Sequence, residues 1–179
     1  MKKVLFFHGM GGGELDDKTI EYIKDRYNIE IISPHLQYEM WVGNPNLFPL
    51  LEHLGKDVDV ISGNSMGGYF AYHLGKLLNK ETILFNPAIS NVTLSYRLFN
   101  NITPHLNEPV DNTIVSNLST LDDVVDHLHT RRFLNESGGS SVVINDLIDK
   151  THSLDYNLIL KKVIEFTLDK SLNIKQDAD

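Results

Sequence analysis

Residues Gly63-Asn64-Ser65-Met66-Gly67 follow the apolar run Val58–Ile61 and precede a helix-like stretch, Tyr69–Leu78. A serine on a sharp turn between a buried strand and a helix is lifted clear of the core, where a base can reach its hydroxyl. The flanking glycines suit such a turn, because side chains there collide with the neighbouring strand and helix. This is the pattern of a nucleophile elbow, and it points to acyl-transfer chemistry. A five-residue pattern also arises by chance in glycine-rich turns, so its meaning depends on partners elsewhere in the chain.

A serine hydroxyl is a poor nucleophile at neutral pH and needs a base, which in turn needs an orienting carboxylate. On a strand-turn-helix scaffold the chain order should be Ser, then Asp or Glu, then His. The run Thr113–Ser116 reads as a strand that leads through Ser119-Thr120-Leu121 into Asp122-Asp123-Val124-Val125-Asp126. Further on, Ser140–Ile144 reads as a strand, followed by Asn145–Thr151 and then His152. The order is met. Asp122 and Asp123 compete as the acid, and Asp122 can equally cap a helix that starts there; Asp126 falls on that helix's surface. His127 and His129 sit inside the same helix and read as structural or solvated. A His-x-His metal site lacks nearby ligands of suitable spacing, so no metal is expected. His35, His53, His73 and His105 show no partner pattern.

A tetrahedral intermediate needs backbone N–H donors aimed at its oxyanion. One should come from Met66, the residue after the serine. The other should come from the loop His8-Gly9-Met10-Gly11-Gly12-Gly13, most simply from Met10, with Gly9 and Gly11 letting the backbone pass close to a bound acyl group. The rival reading is a phosphate-binding loop. A dinucleotide fingerprint starting at Gly9 would need glycine where Glu14 stands, and an acid where the second strand ends in Ser33-Pro34.

These residues must be carried by elements that bring them together. Short apolar runs rich in β-branched and aromatic residues give strands at 3–7, 29–33, 57–62, 81–85, 112–117 and 140–144. Helix-like stretches fall near 14–27, 45–54, 66–79, 122–134 and 154–168, the last with the apolar stripe Leu154, Leu158, Ile159, Val163, Ile164 and Phe166. Such alternation implies an α/β fold: a three-layer, doubly wound sheet of about six parallel strands in the order 2-1-3-4-5-6. The glycine loop, Ser65, Asp122 and His152 then follow strands one, three, five and six, and all four converge on one sheet edge. Two stretches fit the alternation poorly, Pro34–Pro49 and Ala88–Pro109. Both leave the carboxyl ends of strands, where open α/β sheets bind ligands, so Trp41 and Tyr96 are candidate pocket walls; surface excursions anchored by a few aromatics are the alternative.

A chain of 179 residues is expected to form a single domain over 1–179, with a polar, fraying tail at 170–179. The absence of cysteine excludes disulfides and thiolate metal sites and fits a reducing cytoplasm. Met1-Lys2-Lys3 followed by Val4–Phe7 is too short an apolar run for a signal peptide, and no run is long enough to insert in a membrane. The formal net charge of −8 argues against a general role on nucleic acid or an anionic membrane.

With these residues in hand, the chain resembles the α/β-hydrolase superfamily over most of its length, as a minimal core without the two leading antiparallel strands and without a large cap. More closely it is similar to the small YqiA-like esterases. The resemblance rests on His8-Gly9, on Asn64-Ser65-Met66-Gly67-Gly68-Tyr69-Phe70-Ala71, on Asn86-Pro87-Ala88, on Asp122-Asp123-Val124-Val125-Asp126 and on His152-Ser153. The family pattern, an acid followed by any residue and two aliphatics, implies Asp122 rather than Asp123 as the acid. Leu121 and Lys150-Thr151 depart from it, standing where the family usually has glycine. The resemblance implies action on short acyl esters or thioesters, small-molecule substrates, with no cofactor; a catalytically silent binding protein on the same fold is the alternative.

Overall fold

A computed structural model describes residues 1–104, 111–136 and 141–173. The alternation in Lys2–Phe7 (β1) sends Val4 and Phe6 to one face of a sheet and Leu5 and Phe7 to the other, all four fully buried. A strand buried on both faces needs helices on both sides. Five more strands join it: β2 (Ile29–Ile32), β3 (Val60–Asn64), β4 (Glu81–Phe85), β5 (Thr113–Ser119) and β6 (Ser141–Leu147). Every pairing is parallel, in the order β2-β1-β3-β4-β5-β6 that the sequence implies. Helices α1 (Asp17–Tyr27) and α6 (Tyr156–Asn173) cover the face carrying Val4, Phe6, Val60, Ile83 and Phe85. Helices α2 (Leu47–Gly55), α3 (Met66–Leu78), α4 (Leu94–Phe99) and α5 (His127–Glu136) pack on the face carrying Leu5, Phe7, Ile61 and Leu84. The result is the expected three-layer doubly wound sheet.

Several element boundaries differ from the sequence reading, each for a local reason. Helix α1 starts at residue 17 rather than 14 because the Asp16 carboxylate accepts the Thr19 N–H and caps it. The third strand runs 60–64 rather than 57–62, since Asp59 instead uses its carboxylate to bind the Lys3 N–H and the Lys2 ammonium. Strand β6 continues through Asn145 and Asp146 to Leu147, in register with β5 as far as Ser119; these polar residues lie on an exposed edge and carry no hydrophobic signal. Residue 140, where that strand was expected to start, lies outside the described residues. The helix expected from 122 starts at His127, and Asp126, expected on the helix surface, is its cap, accepting from the N–H groups of Leu128 and His129. Within the two irregular stretches the chain forms a 3-10 turn at Tyr38–Trp41 and the short helix α4, capped by Thr93; residues 105–110, with His105, lie outside the described residues. The last helix begins after Asp155, whose carboxylate takes the Asn157 N–H, and continues to Asn173 through the first part of the expected tail; 174–179 lie outside the described residues.

What matters for function is the register. Phe7 pairs with Gly63, Asn64 with Phe85, and Phe85 with Asn117, so these strands end at one level. There the chain passes from β3 into α3 with almost no room. A methyl group on Gly67 would drive into the backbone carbonyls of Phe7 and His8, and one on Gly63 into the carbonyl of Gly67. Backbone-to-backbone contact at both points lets the first turn of α3 lie against the end of β1. Gly67→Ala should therefore destabilise the fold by about 3 kcal/mol or more, as overpacking against immovable backbone does; a urea midpoint matching wild type would show that the junction has slack.

Candidate active site

Ser65 sits at the junction with φ 54° and ψ −117°, a left-handed conformation that costs a side-chain-bearing residue about 1–3 kcal/mol. Its backbone is held on both sides: the N–H donates to the Phe85 carbonyl at 2.9 Å, and the carbonyl accepts from Ala88 N–H at 3.0 Å and Tyr69 N–H at 3.3 Å. The next residue, Met66, opens α3, so its N–H has no acceptor within the helix and lies at the positive end of the helix dipole.

The Ser65 hydroxyl meets His152 Nε2 at 2.8 Å, across 87 residues of chain. The other ring nitrogen, Nδ1, lies 2.8 Å and 3.0 Å from the two carboxylate oxygens of Asp122. An ionised carboxylate only accepts, so Nδ1 carries the proton and Nε2 is left as an acceptor for the serine O–H. The Asp122 side chain is 1 % exposed and that of His152 15 %. Burial pushes the Asp122 carboxyl up, but the His152 hydrogen bond and the N–H groups of Val125 and Val124 outweigh it and hold the group below its ordinary value of 3.8. Those two N–H bonds also bend 122–126 into a turn, so Asp122 caps this turn and not α5. Asp123, the competing acid, is exposed and has no polar contact with His152.

Two further residues hold the loops that carry these groups. Asn86, 1 % exposed at the end of β4, accepts the Ser119 N–H at 2.7 Å and donates to Ser119 Oγ at 2.9 Å and to the His152 carbonyl at 3.0 Å. It ties the acid's loop to the histidine's loop. The sequence reading quoted Asn86 without giving it a role; its signal is an asparagine before proline at a strand end, a type that tolerates the left-handed φ of 43° found there. His8, also 1 % exposed, accepts the Leu36 N–H at Nε2 (3.0 Å), so its Nδ1–H donates to the Gly9 carbonyl at 2.7 Å. The Tyr38 hydroxyl donates to the His8 carbonyl at 2.6 Å. This pins the glycine loop to the segment after β2. Gly12 N–H closes a turn on the Gly9 carbonyl, with Gly11 at φ 72° in the position where such a turn demands a left-handed residue.

A hollow of about 180 Å³ opens over Ser65, lined by Gly9, Met10, Gly12, Asn64, Ser65, His152, Ser153, Leu154 and Tyr156. Of the glycine-loop residues singled out in the sequence, Gly9 and Met10 line this hollow, whereas Gly11 faces open space and is not part of the lining. Trp41 lines a separate cleft of about 430 Å³ with His35, Gln37, Met40 and Asn44. Tyr96, on α4, packs against the core and lines neither. The sequence places Leu154 in the apolar stripe of the last helix and Tyr156 simply within its span; their proximity to His152, at the start of that helix, is the signal that could have found them. A larger groove of about 650 Å³ lies between α1 and α6 and contains none of Ser65, Asp122 or His152. Among the described residues no cluster of His, Asp and Glu could hold a metal ion, and His129 pairs with Asp126. No helix among the described residues is long and apolar enough to cross a membrane.

The model of the uncharacterised protein family UPF0227 matches residues 14–124, more than half of the chain, and the chain belongs to that family, in line with the YqiA-like resemblance. No curated protein matches it. Among solved structures it is similar to FphF, a fluorophosphonate-binding serine hydrolase of Staphylococcus aureus, at 12 % identity and a TM-score of 0.67 over 93 % of this chain and 83 % of that one. It is similar to the S-formylglutathione hydrolase FrmB of the same organism, at 12 % identity and a TM-score of 0.68 over 93 % and 84 %. It is also similar to the thioesterase RedJ of Streptomyces coelicolor, at 10 % identity and a TM-score of 0.63 over 91 % and 85 %. At these identities the likeness establishes an α/β-hydrolase fold.

The depressed Asp122 carboxyl has a consequence for stability. A group whose pKa is lowered by folding stabilises the native state above its unfolded value, and that contribution disappears as pH falls through the folded value. Comparing wild type with Asp122→Asn by urea denaturation from pH 6 downward should give a stability difference that is constant above about pH 5 and shrinks steadily below 3.8. A difference independent of pH down to 2 would mean the carboxylate is not held in its charged form.

Proposed function

We propose that this UPF0227 protein is a serine hydrolase that cleaves a carboxylic ester or thioester through an acyl-enzyme. The observation that carries the reading is the continuous chain of contacts from Asp122 through the imidazole of His152 to the Ser65 hydroxyl, 2.8 Å at each link. In the first step Ser65 Oγ attacks the substrate carbonyl carbon while its proton passes to His152 Nε2. Asp122 keeps the imidazole in the tautomer that can take that proton and stabilises the imidazolium that results. The carbonyl oxygen, now an oxyanion, is received by the N–H groups of Met66 and Met10. Collapse of the intermediate breaks the bond to the leaving oxygen or sulfur, which takes the proton from His152 and departs as an alcohol or thiol. Water then attacks the acyl-serine, gives its proton to His152, and the acid is released as Ser65 recovers its hydrogen. No step calls for a cofactor.

The shape and lining of the hollow bear on the substrate. Its 180 Å³ is smaller than the usual range for drug-sized ligands. With Met10, Leu154 and Tyr156 as apolar walls and no Lys or Arg in the lining, it suits a short, uncharged acyl group, with the leaving group directed to solvent. A chain without cysteine fits work in a reducing cytoplasm.

Wild-type protein should be labelled by a fluorophosphonate probe, and Ser65→Ala should not. Ester turnover should fall about 10³- to 10⁴-fold in Asp122→Asn, as when a triad acid is neutralised, and remain near wild type in Asp123→Asn. A folded wild type that resists the probe and leaves p-nitrophenyl acetate and butyrate intact would mean the cleft binds rather than hydrolyses.

A further inference from the structure

We propose that the hydroxyl of Tyr156 is a third hydrogen-bond donor to the oxyanion, beside the N–H groups of Met66 and Met10; the inference rests on the serine-hydrolase reading above. Tyr156 is the first residue of α6, four residues after His152. Its ring stands edge-on against Phe6 of β1, with centroids 6.1 Å apart and planes at 71°, and Phe6 is wholly buried. That contact holds the ring while 37 % of the residue stays exposed. The hydroxyl reaches over the glycine loop: a methyl group on Gly12 would lie 3.2 Å from it. It thus lines the same 180 Å³ hollow as Ser65 and His152, on the wall formed by the loop that carries Met10.

The hydrogen bonding of the other tyrosines near the site sharpens the point. Tyr38 donates to the His8 carbonyl at 2.6 Å, and the Tyr69 hydroxyl meets Thr103 Oγ1 at 2.8 Å. Tyrosine hydroxyls withdrawn from solvent normally find such a partner. Tyr156 has none among the described residues, although partial burial already raises its phenol above the ordinary value of 10. At neutral pH it is therefore a protonated donor that no protein group among the described residues engages, open to a cavity whose lining holds no Lys or Arg.

Its neighbours decide which substrate atom it meets. His152 Nε2 and the Ser65 hydroxyl bond each other and handle the proton, whereas Tyr156 lies beside Gly12, three residues along from Gly9, whose own added methyl would touch Ser65 Cβ at 3.4 Å. In the proposed mechanism the carbonyl oxygen faces that loop, because the Met10 N–H receives it. The phenol keeps its proton throughout. It donates weakly to the neutral carbonyl and strongly to the oxyanion, so its effect falls on the chemical step.

The test is Tyr156→Phe, which retains the ring and its contact with Phe6 and removes only the hydroxyl. With p-nitrophenyl acetate, kcat should fall about 10- to 100-fold with KM within about twofold, somewhat less than loss of a principal oxyanion donor. Affinity for a trifluoromethyl ketone, which forms a tetrahedral adduct, should fall by the same factor as kcat/KM. An oxygen ester and a thioester of the same acyl group should lose the same factor, because the oxyanion is common to both. A rise in KM with unchanged kcat, a loss that tracks the basicity of the leaving group, or no change at all would overturn the assignment. Equal urea midpoints for the two proteins exclude a folding defect, and Tyr156→Leu, which removes both ring and hydroxyl, should lose at least as much. An active wild type with an unaffected Tyr156→Phe refutes this inference alone; a wild type that neither hydrolyses esters nor takes the fluorophosphonate probe refutes the hydrolase reading and this one with it.

Discussion

The arrangement depends on one close approach, that of the first turn of α3 to the end of β1. The backbone at Gly67 lies against the carbonyls of Phe7 and His8, and the backbone at Gly63 against Gly67 itself. No side chain fits between them. Because the helix comes this close, the Met66 N–H and the Ser65 hydroxyl emerge next to the glycine loop that follows β1, not a side-chain diameter away. The strain at Ser65 follows from the same approach: the chain has to reverse in one residue, and the hydrogen bonds to Phe85, Ala88 and Tyr69 hold it there.

Around this junction the ends of the strands are joined by polar groups sealed from water. Asn86 bonds both the β5 end and the histidine loop, Asn117 donates to the Leu84 carbonyl at 3.2 Å, and His8 fixes the glycine loop to Leu36. Buried hydrogen bonds of this kind contribute only modestly to stability, but leaving any one partner unsatisfied is costly. They therefore restrict the loops to a single arrangement more than they add to the core. Both the acid and the histidine sit on turns with few apolar anchors, and Asn86 supplies the constraint that packing does not.

The strands and the buried helix faces were legible in the chain because burial on both faces forces long apolar runs, and burial on one face forces a helical stripe. β1, β2 and β4 stood out in this way, and so did the sheet order, since right-handed crossovers leave few alternatives. The boundaries that depart from the hydropathy pattern are those where polar side chains act on the backbone. Asp16, Asp126 and Asp155 each set a helix start by capping, and Asn145 and Asp146 continue a strand whose outer face meets water. Hydropathy does not register either effect. For Trp41 and Tyr96 the sequence leaves two readings open, pocket wall or aromatic anchor of a surface excursion; Trp41 lines a cleft separate from the hollow over Ser65, and Tyr96 packs against the core.

The chain by itself determined the fold class, the sheet order and the set of groups that meet at one edge, because periodicity, glycine spacing and the order of Ser65, Asp122 and His152 are all properties of the linear string. Folding decided what no string contains. The contacts of Asp122, whose carboxylate takes two backbone N–H groups and the imidazole while Asp123 stays exposed, follow from which of the two neighbouring side chains turns inward. The exclusion of Trp41 from the hollow, the tie made by Asn86, and the place of Tyr156 over Gly12 follow from how far loops reach across the sheet. Those are questions of distance between residues remote in sequence, and they are settled by the packing that brings the strand ends level.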